Sequence, residues 1–164
     1  MTHADSDDAV VEWTSLHGAD GEGSDPDVVV RGDGRVTLSP RFGGGRAVEA
    51  RIPPERAGAL LRAIVEDHAV FDLDADRLAA DAAAPPPAVR ADDDAVLRLP
   101  LGPPYADAAT TRLDVAVGPR RTGLAVHGLA AAAREHPESA TLQALRAIEL
   151  ELLALADELT QQAG

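Results

Sequence analysis

The stretch VVVRGDGRVTL, Val28 to Leu38, decides the fold. Two β-type runs, Val28 to Val30 and Arg35 to Leu38, flank Arg31-Gly32-Asp33-Gly34, and apolar runs joined around an Asp-Gly pair are the strongest short-range hairpin signal. Asp33 and Gly34 tolerate positive φ, so a type I′ turn is predicted, with Gly32 relaxing its first residue. Arg31-Gly32-Asp33 is also a tripeptide read by extracellular adhesion receptors, but a lysine-free chain with no export signal is not expected to meet them. Working outward, Ala9 to Leu16 (AVVEWTSL) is rich in β-branched residues and places Val11 and Trp13 on one strand face. His17 to Asp27 is a loop. On the other side, Phe42 to Arg46 (FGGGR) is a glycine-rich connection without phosphate-cradle spacing. Val48, Ala50 and Ile52 then alternate with Glu49 and Arg51, giving a strand with one apolar and one wet face.

Pro53-Pro54-Glu55 begins a helix, because proline fits the first turn and an early acid complements the positive helix end. Ala57, Leu60, Leu61, Ile64 and Val65 form its apolar stripe, and Val70 to Leu73 anchors its exit. Asp74 to Ala84 is a further short helix ended by Pro85-Pro86-Pro87. Residues 85 to 107 read as an exposed Pro/Asp-rich loop around a short strand at Val96 to Leu99. Thr110 to Val117 (TTRLDVAV) has the clearest two-residue period, and Gly118-Pro119 turns it into Thr122 to His127, a second hairpin. Leu129 to Glu135 is a short helix. Leu142, Leu145, Ile148, Leu152, Leu155 and Leu159 mark a C-terminal helix of about six turns, with Leu150 and Leu153 widening the stripe. A wide stripe favours packing on the domain's own sheet over a free coiled coil.

The predicted architecture is α+β: an acidic tail at 1 to 8, read as disordered, then one domain over 9 to 164. It has a mostly antiparallel sheet of six to seven strands with two main helices on one face. The 164 residues suffice for one continuous core. Without cysteine there is no disulfide framework, thiolate metal site or cysteine nucleophile. All 15 basic residues are arginine, Asp outnumbers Glu 18 to 10, and the net charge is −13. Such a surface repels phosphate backbones and anionic lipid, so neither nucleic acid nor membrane is an expected partner. The first residues carry acid where a secretory signal carries basic residues, and no apolar run approaches a membrane span, so a cytoplasmic protein is expected.

No catalytic motif emerges. His3, His17, His68, His127 and His136 lie in no metal-binding spacing; a site would have to assemble from distant groups, such as His17 with Asp20 and Glu22, or His127 with His136. Asp20 to Asp27 (DGEGSDPD) is acidic but lacks calcium-loop spacing. None of Ser6, Ser15, Ser24, Ser39 and Ser139 lies in a nucleophile elbow. Trp13, Phe42, Phe71 and Tyr105 are too few for a stacking floor. No catalytic, cofactor-binding or metal residue is therefore assigned and no cofactor is expected.

The order of these elements resembles emfourin-type protease inhibitors and related small bacterial α+β domains. The likeness rests on the Asp-Gly hairpin, Ile52-Pro53-Pro54-Glu55 through Phe71-Asp72-Leu73, the Thr110 to Val117 strand and the C-terminal helix, about half the chain. The chain departs from that family in having no clear counterpart of its early Gly-Gly-Phe segment, of which Phe42-Gly43-Gly44 is at most a displaced echo, and in its extra alanine-rich insertions, so no inhibitory residue is carried over. The resemblance implies a binding module that blocks a metalloprotease with its loops. The expected function is a non-catalytic protein-interaction module, inhibitor-like, working through loops 17 to 27, 41 to 46 and 85 to 107. Its expected partner is a protein, a protease if the likeness holds, and a monomer is expected over a helix-mediated homodimer. The competing expectation is a hydrolase or metal-dependent enzyme built from dispersed Asp, Glu and His.

Overall fold

The computed structural model describes residues 8–16, 25–84 and 108–163. Six strands form one antiparallel sheet: β1 (Val10–Leu16), β2 (Val28–Arg31), β3 (Arg35–Leu38), β4 (Val48–Arg51), β5 (Thr110–Val117) and β6 (Arg120–His127). The spatial order is β4-β3-β2-β1-β5-β6, so the first four strands meander outward from β1 and the later hairpin adds to its free side. This is the α+β class read from the pattern. The tail to residue 7, most of the 17 to 27 loop, and the 85 to 107 segment with its strand at 96 to 99 lie outside the described residues.

Strand register sorts the side chains. One cross-strand row on the inner face runs Val48, Leu38, Val28, Trp13, Leu113, Leu124; the next runs Ala50, Val36, Val30, Val11, Val115, Thr122. These rows carry most of the sheet's share of the core, while the outer-facing apolar residues of the same strands stay out of it. The helices α1 (Pro54–Arg62), α2 (Ala75–Ala83), α3 (Leu129–Glu135) and α4 (Ala140–Ala163) supply the other half. All four therefore pack on one face. In α4, Leu142, Leu145, Ile148, Leu152, Leu155 and Leu159 are buried as their spacing predicts, each worth roughly 1.5–3 kcal/mol relative to exposure. Leu150, expected to widen that stripe, is instead 49% exposed. It falls on the flank of the helix away from the sheet, where Leu153 is still half-buried.

Two local expectations change. The hairpin turn is not type I′: Gly34 has φ 85, but neither Gly32 nor Asp33 has positive φ. The Gly34 N–H donates to the Arg31 carbonyl at 3.0 Å, closing a turn that a left-handed glycine follows, the three-residue bulged hairpin. Asp33 causes the difference, because its carboxylate accepts the Arg35 N–H at 3.0 Å and the Arg35 Nε at 2.6 Å, holding Asp33 in the ordinary region. The first helix also ends differently, widening into a π turn at Ala63–Asp67 closed by His68 N–H to the Ala63 carbonyl. A left-handed Ala69 and a 3₁₀ turn at Val70–Asp72 then drop Val70 into the core.

Candidate interaction surface

Of the histidines, His3 and His17 lie outside the described residues, with Asp20 and Glu22. His68 Nε2 is 3.1 Å from Glu151 Oε1, and His127, on the outer sheet face, has Nδ1 3.1 Å from Thr110 Oγ1. His136 is instead buried at the corner between α3 and α4. Among the described residues no three His, Asp or Glu side chains gather as a metal site.

The α3–α4 corner does bring a serine, a histidine and an aspartate close. The Ser139 hydroxyl donates to Asp81 Oδ2 at 2.6 Å, and the Thr141 hydroxyl donates to the same oxygen at 3.1 Å. His136 Nε2 donates to the Ala84 carbonyl at 3.1 Å, while its Nδ1 faces Glu138 at 3.2 Å. The hydroxyl is thus spent on the carboxylate rather than on the imidazole, which is no relay for a nucleophile. Ser139 also accepts the Leu142 N–H at 3.3 Å, so the cluster caps α4 and ties it to α2. Sequence carries no signal for this, since Asp81 and Ser139 are 58 residues apart.

The Ser139 hydrogen bond, assisted by Thr141, Arg77 and His136, holds the Asp81 carboxyl below its ordinary 3.8. A folded-state value below the unfolded one contributes stability that is complete above about pH 4 and disappears as pH falls through the lowered value. Asp81→Asn should therefore flatten the acid limb of melting temperature against pH. An unchanged limb between about pH 4 and pH 2 would show that Asp81 carries none of it.

The 41 to 46 loop is anchored at its base. Asp27, 7% exposed, accepts the Ser15 N–H at 2.8 Å, the Ser39 hydroxyl at 2.8 Å and Arg41 Nη1 at 2.7 Å. The Arg41 guanidinium also lies 5.7 Å from the Trp13 ring centre and 5.4 Å from that of Phe42. Arg41 and Phe42 are thereby committed to closing one end of the sheet, and the buried Trp13 Nε1 has no hydrogen-bond partner among the described residues. At Gly44 and Gly45, with φ 62 and 98, an added Cβ would meet nothing within 4 Å.

The outer sheet face is organised differently. Arg31 pairs with Val10, Val10 with Ala116 and Ala116 with Arg121, while Arg35 faces Arg51 across β3 and β4. One row across the sheet thus reads Arg51, Arg35, Arg31, Val10, Ala116, Arg121. The adjacent row reads Glu49, Thr37, Val29, Glu12, Asp114, Gly123. A basic row lies beside an acidic one, two residues or about 7 Å along the strands.

Both rows place like charges directly opposite, Arg35 with Arg51 and Glu12 with Asp114, which disfavours pairing. Arg112 relieves the second, meeting Asp114 Oδ2 at 2.7 Å, and this bond raises the arginine's pKa. Gly123 leaves room for that carboxylate, since a Cβ there would stand 2.8 Å from Asp114 Oδ1. Among the described residues the side chains of Arg31 and Arg121 make neither a hydrogen bond nor an ion pair. They flank a shallow groove of about 450 Å³ whose other walls include Asp8, Glu12, Asp114 and Gly123.

Sequence reasoning missed this face. Period-two alternation marks each arginine as outward, but which outward residues become neighbours depends on register between strands far apart in the chain. No helix among the described residues is long and apolar enough to cross a membrane. No protein-family model matches the chain, and no curated protein matches it.

Proposed function

We propose that this protein is a non-catalytic protein-interaction module and that the outer sheet face is its docking surface. The observation that carries this reading is the charge sorting of that face. Its strand positions hold five arginines, Arg31, Arg35, Arg51, Arg112 and Arg121, against Glu12, Glu49 and Asp114, on a chain whose net charge is −13. Arg31 and Arg121, which make no ion pair among the described residues, are suited to forming one with another protein from a face on which no described helix packs. The polar groups at the α3–α4 corner and beneath the 41 to 46 loop are occupied in capping and anchoring, which leaves them less suited to chemistry. An inhibitory role against a protease is supported by the emfourin resemblance and belongs to the same reading.

The test is comparative capture from the native host with the wild-type protein and an Arg31→Glu/Arg121→Glu variant, followed by assay against any co-encoded protease. A specific partner retained by the wild type and lost by the variant is expected. Equal retention by both would place docking elsewhere.

A further inference from the structure

We infer that the outer face docks a second copy of this chain, sheet against sheet, about a two-fold axis running along the rows. This rests on reading that face as a docking surface and names its occupant. A two-fold axis parallel to the rows and midway between the basic and acidic ones exchanges them, so each copy lays its arginines over the other's carboxylates. Arg51 then faces Glu49 of the second copy directly. Arg31 lies one strand aside from the second copy's Glu12, and Arg121 one strand aside from its Asp114, a lateral step of about 4.8 Å that an arginine spans. By symmetry each pairing occurs twice, as an isologous interface requires.

The alternative axis, along the strands, would set arginine on arginine and carboxylate on carboxylate. The pattern therefore selects one orientation. It also uses the groups that make no ion pair among the described residues, Arg31 and Arg121, and sets an arginine beside the opposed Glu12–Asp114 pair. Stacked sheets lie about 10 Å apart, a gap that arginine side chains fill from either side. The chain's overall negative charge opposes association at long range, but at about 0.15 M salt the screening length is ~8 Å and the facing rows dominate.

The experiment is light scattering at micromolar to high-micromolar concentration in that salt, on the full chain and on a charge-swap pair. The wild type should be dimeric. Arg31→Glu and Glu12→Arg should each weaken the dimer about tenfold or more, as for the loss of close interfacial charge pairs. Mixed in equal amounts they should recover a heterodimer, because of the two symmetry-related pairs one is then the original Arg31–Glu12 pair and the other is re-formed with its charges exchanged. Leu150→Asp, on the exposed flank of α4, should leave the dimer intact. Should Glu12→Arg not fold, Arg51→Glu with Glu49→Arg makes the same test at the other end of the rows.

A monomeric wild type overturns the inference, as does a dimer indifferent to the swaps or one abolished by Leu150→Asp alone. If the wild type is monomeric but Arg31→Glu/Arg121→Glu still loses a foreign partner, the docking face stands and only the second copy is withdrawn. If neither self-association nor a foreign partner depends on these arginines, both readings are withdrawn.

Discussion

Gly34→Ala should lower the stability of the fold by about 3 kcal/mol, more than the usual cost of a surface-turn substitution. Two independent obstacles meet there. The residue has φ 85, a conformation that L side chains adopt only under strain, and a Cβ would collide with the Ile52 carbonyl oxygen. That oxygen belongs to the backbone and has no rotamer into which to retreat. Moving it pulls on the Ile52 N–H to Gly34 carbonyl bond of 2.9 Å, which joins the hairpin turn to the end of β4 and so to the start of α1. Urea unfolding should show the loss as a lower midpoint with an unchanged slope. Gly44→Ala is the matched control, also left-handed at φ 62 but with open space around it, and should cost only about 1 kcal/mol. Equal losses in the two variants would mean that backbone conformation alone matters and that the clash with Ile52 contributes nothing.

Arg146→Met should also cost about 3 kcal/mol, because it strands a buried charge rather than because it removes packing. Glu149 lies on the buried face of α4, 5% exposed, where it accepts the Thr111 hydroxyl of β5 at 2.7 Å and is paired with Arg146 one turn earlier. Methionine keeps much of the arginine stem's packing but withdraws the counter-charge from a carboxylate shielded from water. Glu149→Gln in the Arg146→Met background should recover a large part of the loss, because a neutral amide still accepts the Thr111 hydroxyl without needing a cation. A double-mutant cycle read by urea unfolding measures the coupling. If the two single substitutions simply add, Arg146 acts by packing and the buried pair has no electrostatic importance.

Glu149 also shows where linear reading stops. Helical spacing, four after Leu145 and three before Leu152, puts it at the edge of the apolar stripe, but nothing local says that a carboxylate there is buried. It is buried because Thr111 and Arg146 offer a donor and a charge, and Thr111 comes from a strand 38 residues away. The outer face is a larger instance of the same limit. Arg31, Glu12, Asp114 and Arg121 each read as ordinary wet positions, and they become neighbours only once β1 is flanked by β2 on one side and β5 on the other. The α3–α4 corner was hidden for the same reason, its Asp81 and Ser139 coming from separate parts of the chain. The type I′ expectation erred at shorter range, because the Asp33 side chain bonds forward to Arg35 and settles a conformation that the dipeptide alone leaves open.

By itself, the sequence determined the α+β class, the strands and helices within the described residues and most of the buried apolar positions, Leu150 excepted, because periodicity is a local property: Val11 and Trp13, or Leu145 and Ile148, share a face whatever else the chain does. Only the tertiary structure decided which strands are neighbours, which charges confront one another and which polar groups cap or pair inside. Those depend on distances between residues far apart in the chain, and a pattern of spacings carries no such distance until the sheet has closed around β1.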